Sequence, residues 1–146
     1  MKINIKKLRE DAIIPTKGTT KSAGLDLYAL LEDSKKVIPS GKTVKINTGL
    51  AVEIPDGYFA GIFARSGIAT KRGLRPANCV GVIDSDYRGE IIIAIHNDSD
   101  IDEEILNKER VAQMVIMPYL DVEFNEVDDL SSSDRDHGGF GSTGTK

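Results

Sequence analysis

Long apolar runs are missing from this sequence. The longest, such as Ile91 to Ile95, span only a few residues, whereas a membrane-crossing helix needs about 20 in a row. No membrane span is expected. Cysteine is almost absent: the single Cys79 cannot close an intramolecular disulfide, and no Cys/His cluster has zinc-like spacing. Cys79, between Asn78 and Val80, reads as small core filler. Met1 to Lys7 holds no extended apolar stretch, so no secretory signal is expected and the cytoplasm is the expected location. An excess of positive charge is lacking too. With a net charge of −4, the chain does not resemble a protein that coats a polyanion, and no nucleic-acid partner is expected. Also missing is a Gly-x-Ser-x-Gly elbow around Ser66, which leaves a hydrolase triad of Ser66, His96 and an Asp without its usual scaffold.

What is present is a length of 146 residues, enough for one core, and a series of short strands divided by turns. Leu50, Val52 and Ile54 alternate with Ala51 and Glu53, the period of a half-buried strand. Pro55-Asp56-Gly57 supplies turn chemistry, and Tyr58 to Ala64 resumes as strand, so 50–64 reads as a hairpin. Val44 with Ile46, Val80 to Ile83, Glu90 to His96 and Val111 to Met117 are further strands, rich in Val and Ile. Helix is expected only over Ser66 to Arg72, capped by Ser66 and ended by Gly73. This pattern predicts an all-β sandwich, jelly roll or barrel. From Leu130 onward the composition shifts to Ser, Asp and Gly, as in a mobile, solvated tail.

Charge is unevenly spread. Gly61 to Glu90 holds five basic residues against three acids, while Asp121 to Asp136 holds seven acids and one Arg. A small anion could be held near the middle of the chain. Ala64-Arg65-Ser66-Gly67 sets a guanidinium, a hydroxyl and a bare backbone N–H side by side, either as a phosphate cradle or as a surface cap with a solvated Arg. In the segment Gly81 to Glu90, Asp84 follows an apolar run. Partial desolvation there would raise its pKa toward a useful base; the alternative is an acidic hairpin loop. Gln113 sits inside a strand-like apolar stretch and needs a partner, in a neighbouring strand or in a site. Gly138 to Gly144 places Phe140 among four glycines, a segment able to fold over a ligand, with N–H groups for phosphate and an aromatic for stacking.

In order, five segments resemble the motifs of the trimeric dUTPase family: Ala23 to Ala29 (AGLDLYA), Ala64 to Ala69 (ARSGIA), Gly81 to Glu90 (GVIDSDYRGE), Arg110 to Met114 (RVAQM), and Arg135 with Gly138 to Gly144. They span nearly the whole chain. The resemblance implies a distorted β jelly roll over residues 1–129, a flexible tail over 130–146, and a homotrimer with active sites at subunit interfaces. It implies hydrolysis of dUTP to dUMP and pyrophosphate, which limits uracil incorporation into DNA and supplies dUMP for thymidylate synthesis.

By the same resemblance Asp84 is the general base that activates water. Tyr87 lies against the deoxyribose and excludes a 2′-hydroxyl, and Asn78 reads the uracil edge. A hairpin through Val82, Ile83 and Ile92 completes the base pocket. Arg65, Ser66, Gly67 and Gln113 position the triphosphate, while Arg135, Phe140, Gly141 and Ser142 arrive on another subunit's tail. Asp26 supports the interface network. Mg²⁺ is expected on the substrate phosphates, with no direct protein ligand. One departure is Asp136 directly after Arg135, where the family usually has Gly. Two rival readings remain: dCTP deamination, with Glu90 the only nearby candidate for its catalytic acid, and a catalytically silent binding module.

Overall fold

A computed structural model describes residues 1–139 of the chain. Twelve strands and one helix follow in order: β1 Asn4–Lys7, β2 Thr16–Lys17, β3 Leu25–Tyr28, β4 Lys35–Ile38, β5 Thr43–Asn47, β6 Leu50–Glu53, β7 Tyr58–Phe63, α1 Ser66–Arg72, β8 Leu74–Pro76, β9 Gly81–Ile83, β10 Ile92–Asn97, β11 Glu103–Leu106 and β12 Arg110–Pro118. Every pairing is antiparallel. The largest sheet runs β2-β3-β12-β7-β9; the others are β5-β10-β8, β1-β6 and β4-β11. This is an all-β, distorted jelly roll with one short helix. No helix among the described residues is long and apolar enough to cross a membrane.

The sheets close on one apolar cluster that includes Leu27, Ile46, Leu50, Ile93, Ile105 and Val111, each no more than 3% exposed. At about 25 cal/mol per Å² of apolar surface, burial of this kind is the main force closing the fold. Central strand β12 pairs with β7 from Gln113↔Phe63 to Pro118↔Tyr58 and with β3 through Gln113↔Asp26. Its register against β3 shifts between Arg110 and Ala112.

Several local expectations are corrected. Residues 50–64 are not a paired hairpin: the turn forms, with Tyr58 N–H donating to Pro55 O at 3.1 Å, but β6 pairs with β1 while β7 pairs with β12 and β9. Alternation reveals a strand's faces, not its partner. Ala51 is itself buried, so β6 is covered on both faces. Ser66 does not cap α1; Arg65 occupies the N-cap in extended conformation without a side-chain capping bond, and Ser66 is the first helical residue. Gly73 ends the helix in the left-handed conformation, as expected. Cys79 is exposed, in a turn at φ 61°, and fills no core.

Gly49 marks a tight point between β5 and β6. Its φ is +67°, and an added Cβ would collide with Leu30 Cδ2 and press on Ala12 Cβ. Left-handed strain and overpacking therefore add at one residue. Gly49→Ala is expected to cost about 2 kcal/mol, read as a lowered urea midpoint at unchanged m-value; an unchanged midpoint would show that the Leu30 side chain yields freely.

Candidate active site

The first candidate cleft lies where β3, β12 and the start of α1 converge, and encloses about 230 Å³. Arg65 stands on the extended residue between β7 and α1, and its Nε donates to Asp26 Oδ1 at 2.8 Å. Arg110 Nη1 donates to Asp26 Oδ2 at 3.2 Å. Asp26, 8% exposed, thus aims two guanidinium groups, and its desolvation is offset by the pairing. Ser66 and Gly67 line the same cleft and are exposed. Gln113 Nε2 donates to Ala64 O at 2.9 Å, which orients its amide at the cleft wall. Gly24 makes room for it, since a Cβ there would collide with Gln113 Oε1. Sequence reasoning left Arg110 out of the site. Its place at the head of the fourth motif was the available signal.

The second cleft lies at the end of β9. Val82, Ile83, Asp84, Tyr87, Glu90 and Ile92 surround about 160 Å³. An adjoining cavity of about 180 Å³ shares Val82, Ile83 and Ile92 and is closed by Asn78, Pro76 and Ile62. Val82, Ile83 and Ile92 do not form a hairpin: β9 pairs with β7, whereas β10 pairs with β5 and β8. They line a gap between two sheets.

Asp84 is exposed, so the apolar run before it does not desolvate it within one chain. Its carboxylate has no hydrogen-bond partner among the described residues, while its backbone O accepts from Tyr87 N–H at 3.2 Å. Tyr87 Oη donates to Glu90 O at 2.9 Å.

Among the described residues none lines both clefts, so the two stand apart there. Arg135 lines neither; its Nε donates to Gly138 O at 2.8 Å. The positions expected for Phe140, Gly141 and Ser142 lie outside the described residues. After β12 ends at Pro118, residues 119–139 carry no strand or helix.

Comparison with known proteins agrees with this fold. The family model described as dUTPase matches residues 10–144. A curated relative from Hydrogenobaculum sp., named deoxyuridine 5′-triphosphate nucleotidohydrolase, is 49% identical, with all of both chains covered. Among solved structures, a mutant of the Staphylococcus bacteriophage 80alpha dUTPase with dUpNHpp superposes at TM-score 0.88 and 27% identity, covering 98% of each chain. A mutant dUTPase from phage phi11 of S. aureus, described with a structural Mg(II) ion, gives TM-score 0.76 and 25% identity over 88% of this chain and 98% of that one. A match of that extent, on a chain with this fold, shows that the protein belongs to the dUTPase family, the nucleotidohydrolases that convert dUTP to dUMP.

Proposed function

We propose that the chain hydrolyses dUTP to dUMP and pyrophosphate through a water that Asp84 activates for attack on the α-phosphate. The observation that carries this reading is the second cleft. An unpartnered carboxylate and an aromatic ring stand together at the mouth of an apolar cavity closed by Asn78. The cavity is of a size for a pyrimidine, with Asn78 and the backbone of β9 able to read its edge. The side chains of Val82, Ile83 and Ile92 would crowd a 5-methyl group. Tyr87 would face the deoxyribose and leave no room for a 2′-hydroxyl.

Arg65, Ser66, Gly67 and Gln113 would bind the phosphates in the first cleft, as fixed donors that need no reorganisation during reaction. The donor set fits Mg²⁺ carried by the substrate. The one carboxylate in that cleft, Asp26, is already held by two Arg residues, and no group of three His, Cys, Asp or Glu side chains suited to a metal occurs among the described residues. Bound to the triphosphate, the ion would neutralise charge that repels an incoming hydroxide while keeping several of its own waters.

Separate clefts within one chain support a homotrimer in which each site joins the first cleft of one subunit to the second of a neighbour. Assembly would also cover the apolar residues after β12, where Leu120, Phe124 and Leu130 are between 84% and 97% exposed. We assign residues 1–129 to the catalytic body and 130–146 to a tail. In this reading Arg135, Phe140, Gly141 and Ser142 close over a neighbour's nucleotide and exclude bulk water. The product dUMP would feed thymidylate synthesis, and removal of dUTP would keep uracil out of DNA.

Against deamination stands Glu90, whose two oxygens are both engaged: Oε1 accepts from Gly49 N–H at 2.7 Å and Oε2 from Asn47 Nδ2 at 2.9 Å. The decisive assay is pyrophosphate release with Mg²⁺ from dUTP beside dCTP, dTTP and UTP. Release from dUTP is expected to exceed each of the others by about 100-fold or more. Silence with dUTP would sink the reading, and ammonia from dCTP would put the deaminase in its place.

A further inference from the structure

We infer that Glu90 is a positioning residue for sugar selection: its carboxylate anchors the loop that carries Tyr87, and the discrimination between deoxyribose and ribose depends on that anchor. The inference rests on Tyr87 as the sugar-facing wall proposed above and adds what keeps that wall still.

Tyr87 is 43% exposed, so core packing does not hold its ring. Two contacts do. The ring lies on the bare Cα of Gly89, where a Cβ would collide with Oη and Cζ. Its hydroxyl donates to the backbone O of Glu90 at 2.9 Å. The ring is therefore only as fixed as the Glu90 backbone. One tie on that backbone is its own side chain, which takes the Gly49 N–H at 2.7 Å and the Asn47 Nδ2 at 2.9 Å. Both partners lie at the β5–β6 connection, and Gly49 is locked there by φ +67° and by close packing on Leu30 and Ala12. On the outer side Arg88 Nη1 laces the loop to itself, donating to Ser85 O at 2.6 Å and Tyr87 O at 3.1 Å. Those bonds shape the loop, and Arg88 Nη2 also reaches Glu53 on β6 at 3.6 Å, an ion pair exposed on both sides and so a weak tie to the body. The firmer ties come at residue 90 and the one after it: the Glu90 carboxylate holds from the side chain, and Ile91, wholly buried, holds from the backbone by donating its N–H to Leu50 O at 2.8 Å.

Rejecting one added hydroxyl is a weak task for an apolar wall, because a wall that shifts slightly admits the extra oxygen. The discrimination therefore follows from the stiffness of the ring's support. With the carboxylate removed, Tyr87 keeps its partner but that partner is held only from the Ile91 side, and UTP gains more than dUTP loses.

The test is the ratio of kcat/KM for dUTP to that for UTP, measured with Mg²⁺ in wild type, Glu90→Ala, Glu90→Gln, Asn47→Ala and Tyr87→Ala. Glu90→Ala is expected to lower the ratio about tenfold. Asn47→Ala, which removes one of the two bonds at an exposed side chain, shifts it less and in the same direction, and covers the case in which Glu90→Ala does not fold. Glu90→Gln restores it to within about twofold of wild type, because an amide oxygen still accepts from Gly49 and Asn47 can turn its own oxygen to the new N–H. A general loss of structure would lower turnover of both nucleotides and leave the ratio alone. An unchanged ratio in both Glu90→Ala and Asn47→Ala, with a reduced one in Tyr87→Ala, overturns the role of Glu90. So does a Gln variant as relaxed as the Ala variant. An unchanged ratio in Tyr87→Ala overturns the reading of Tyr87 on which the inference stands.

Discussion

Asp84→Asn is expected to lower kcat for dUTP by about 10²–10⁴-fold, the usual contribution of a positioned general base, with KM and the unfolding midpoint close to wild type. The structure supplies the reason for that separation. The Asp84 side chain is exposed and has no hydrogen-bond partner among the described residues. Asn is nearly isosteric and leaves the backbone turn to Tyr87 N–H intact. Nothing in the fold depends on the charge, so a stability change would point to a structural role instead. Asn can still hold a water but cannot take its proton. Pyrophosphate release in single turnover, beside binding of a non-hydrolysable dUTP analogue, separates the two contributions. Near-normal turnover in the Asn variant would remove Asp84 from the mechanism.

The second large effect is structural and sits far from Asp84. Arg72, in the last turn of α1, donates from Nε to Glu103 at 2.6 Å, from Nη1 to Glu109 at 2.6 Å, and from Nη2 to the backbone O of Glu104. The side chains of Glu103 and Glu109 are only 15% and 24% exposed, and that of Arg72 27%. Burial pulls the Arg72 pKa down, but the hydrogen bonds and charges of Glu103 and Glu109 outweigh it and hold the guanidinium above its ordinary value. Glu109 Oε2 also accepts from Leu106 N–H at 2.9 Å, so the cluster ties α1 to β11 and to the turn before β12.

Removing one member of such a group leaves the others desolvated and unpaired. Arg72→Ala is therefore expected to cost about 3 kcal/mol, at the lower end for a buried pair because the cluster is partly exposed. That is a drop of roughly 10 °C in Tm for a domain of this size. Arg72→Lys should recover only part of it, since one ammonium cannot serve three acceptors in fork geometry. Calorimetry of the three proteins at equal concentration checks this, and a shift of less than about 2 °C for Arg72→Ala would mean that the glutamates rehydrate freely.

Strand content was readable because alternation and β-branched content are properties of each segment's own side chains: Val44 and Ile46 carry the first, and the Ile91 to Ile95 stretch the second. The end of α1 was readable because only a left-handed residue continues the chain there and Gly73 adopts that conformation without cost. The candidate site residues could be picked out one segment at a time. Val82, Ile83, Asp84, Tyr87 and Ile92 do meet around one cleft. Arg65, Ser66, Gly67 and Gln113 meet around another.

The arrangement of those pieces was not legible. Two runs joined by Pro55-Asp56-Gly57 look like a hairpin, yet β6 and β7 go to different sheets, and so do β9 and β10. Cys79 has the size of core filler but sits exposed at positive φ. Arg110 stood at the head of the fourth motif, but its role showed only when Asp26 was seen between it and Arg65. Glu90 looked like a possible catalytic acid until both of its oxygens were found to be engaged.

By itself, then, the sequence determined which stretches would be extended, where the chain would turn, and which residue types could handle phosphate, base and sugar. Only the tertiary structure decided which strands pair, that the two clefts stand apart, and which carboxylates support rather than react. The physical reason is one of range. Backbone preference and side-chain alternation act over a few residues, whereas strand pairing and the partners of a buried charge are set by the joint burial of segments distant in sequence, as when Asp26 meets Arg110.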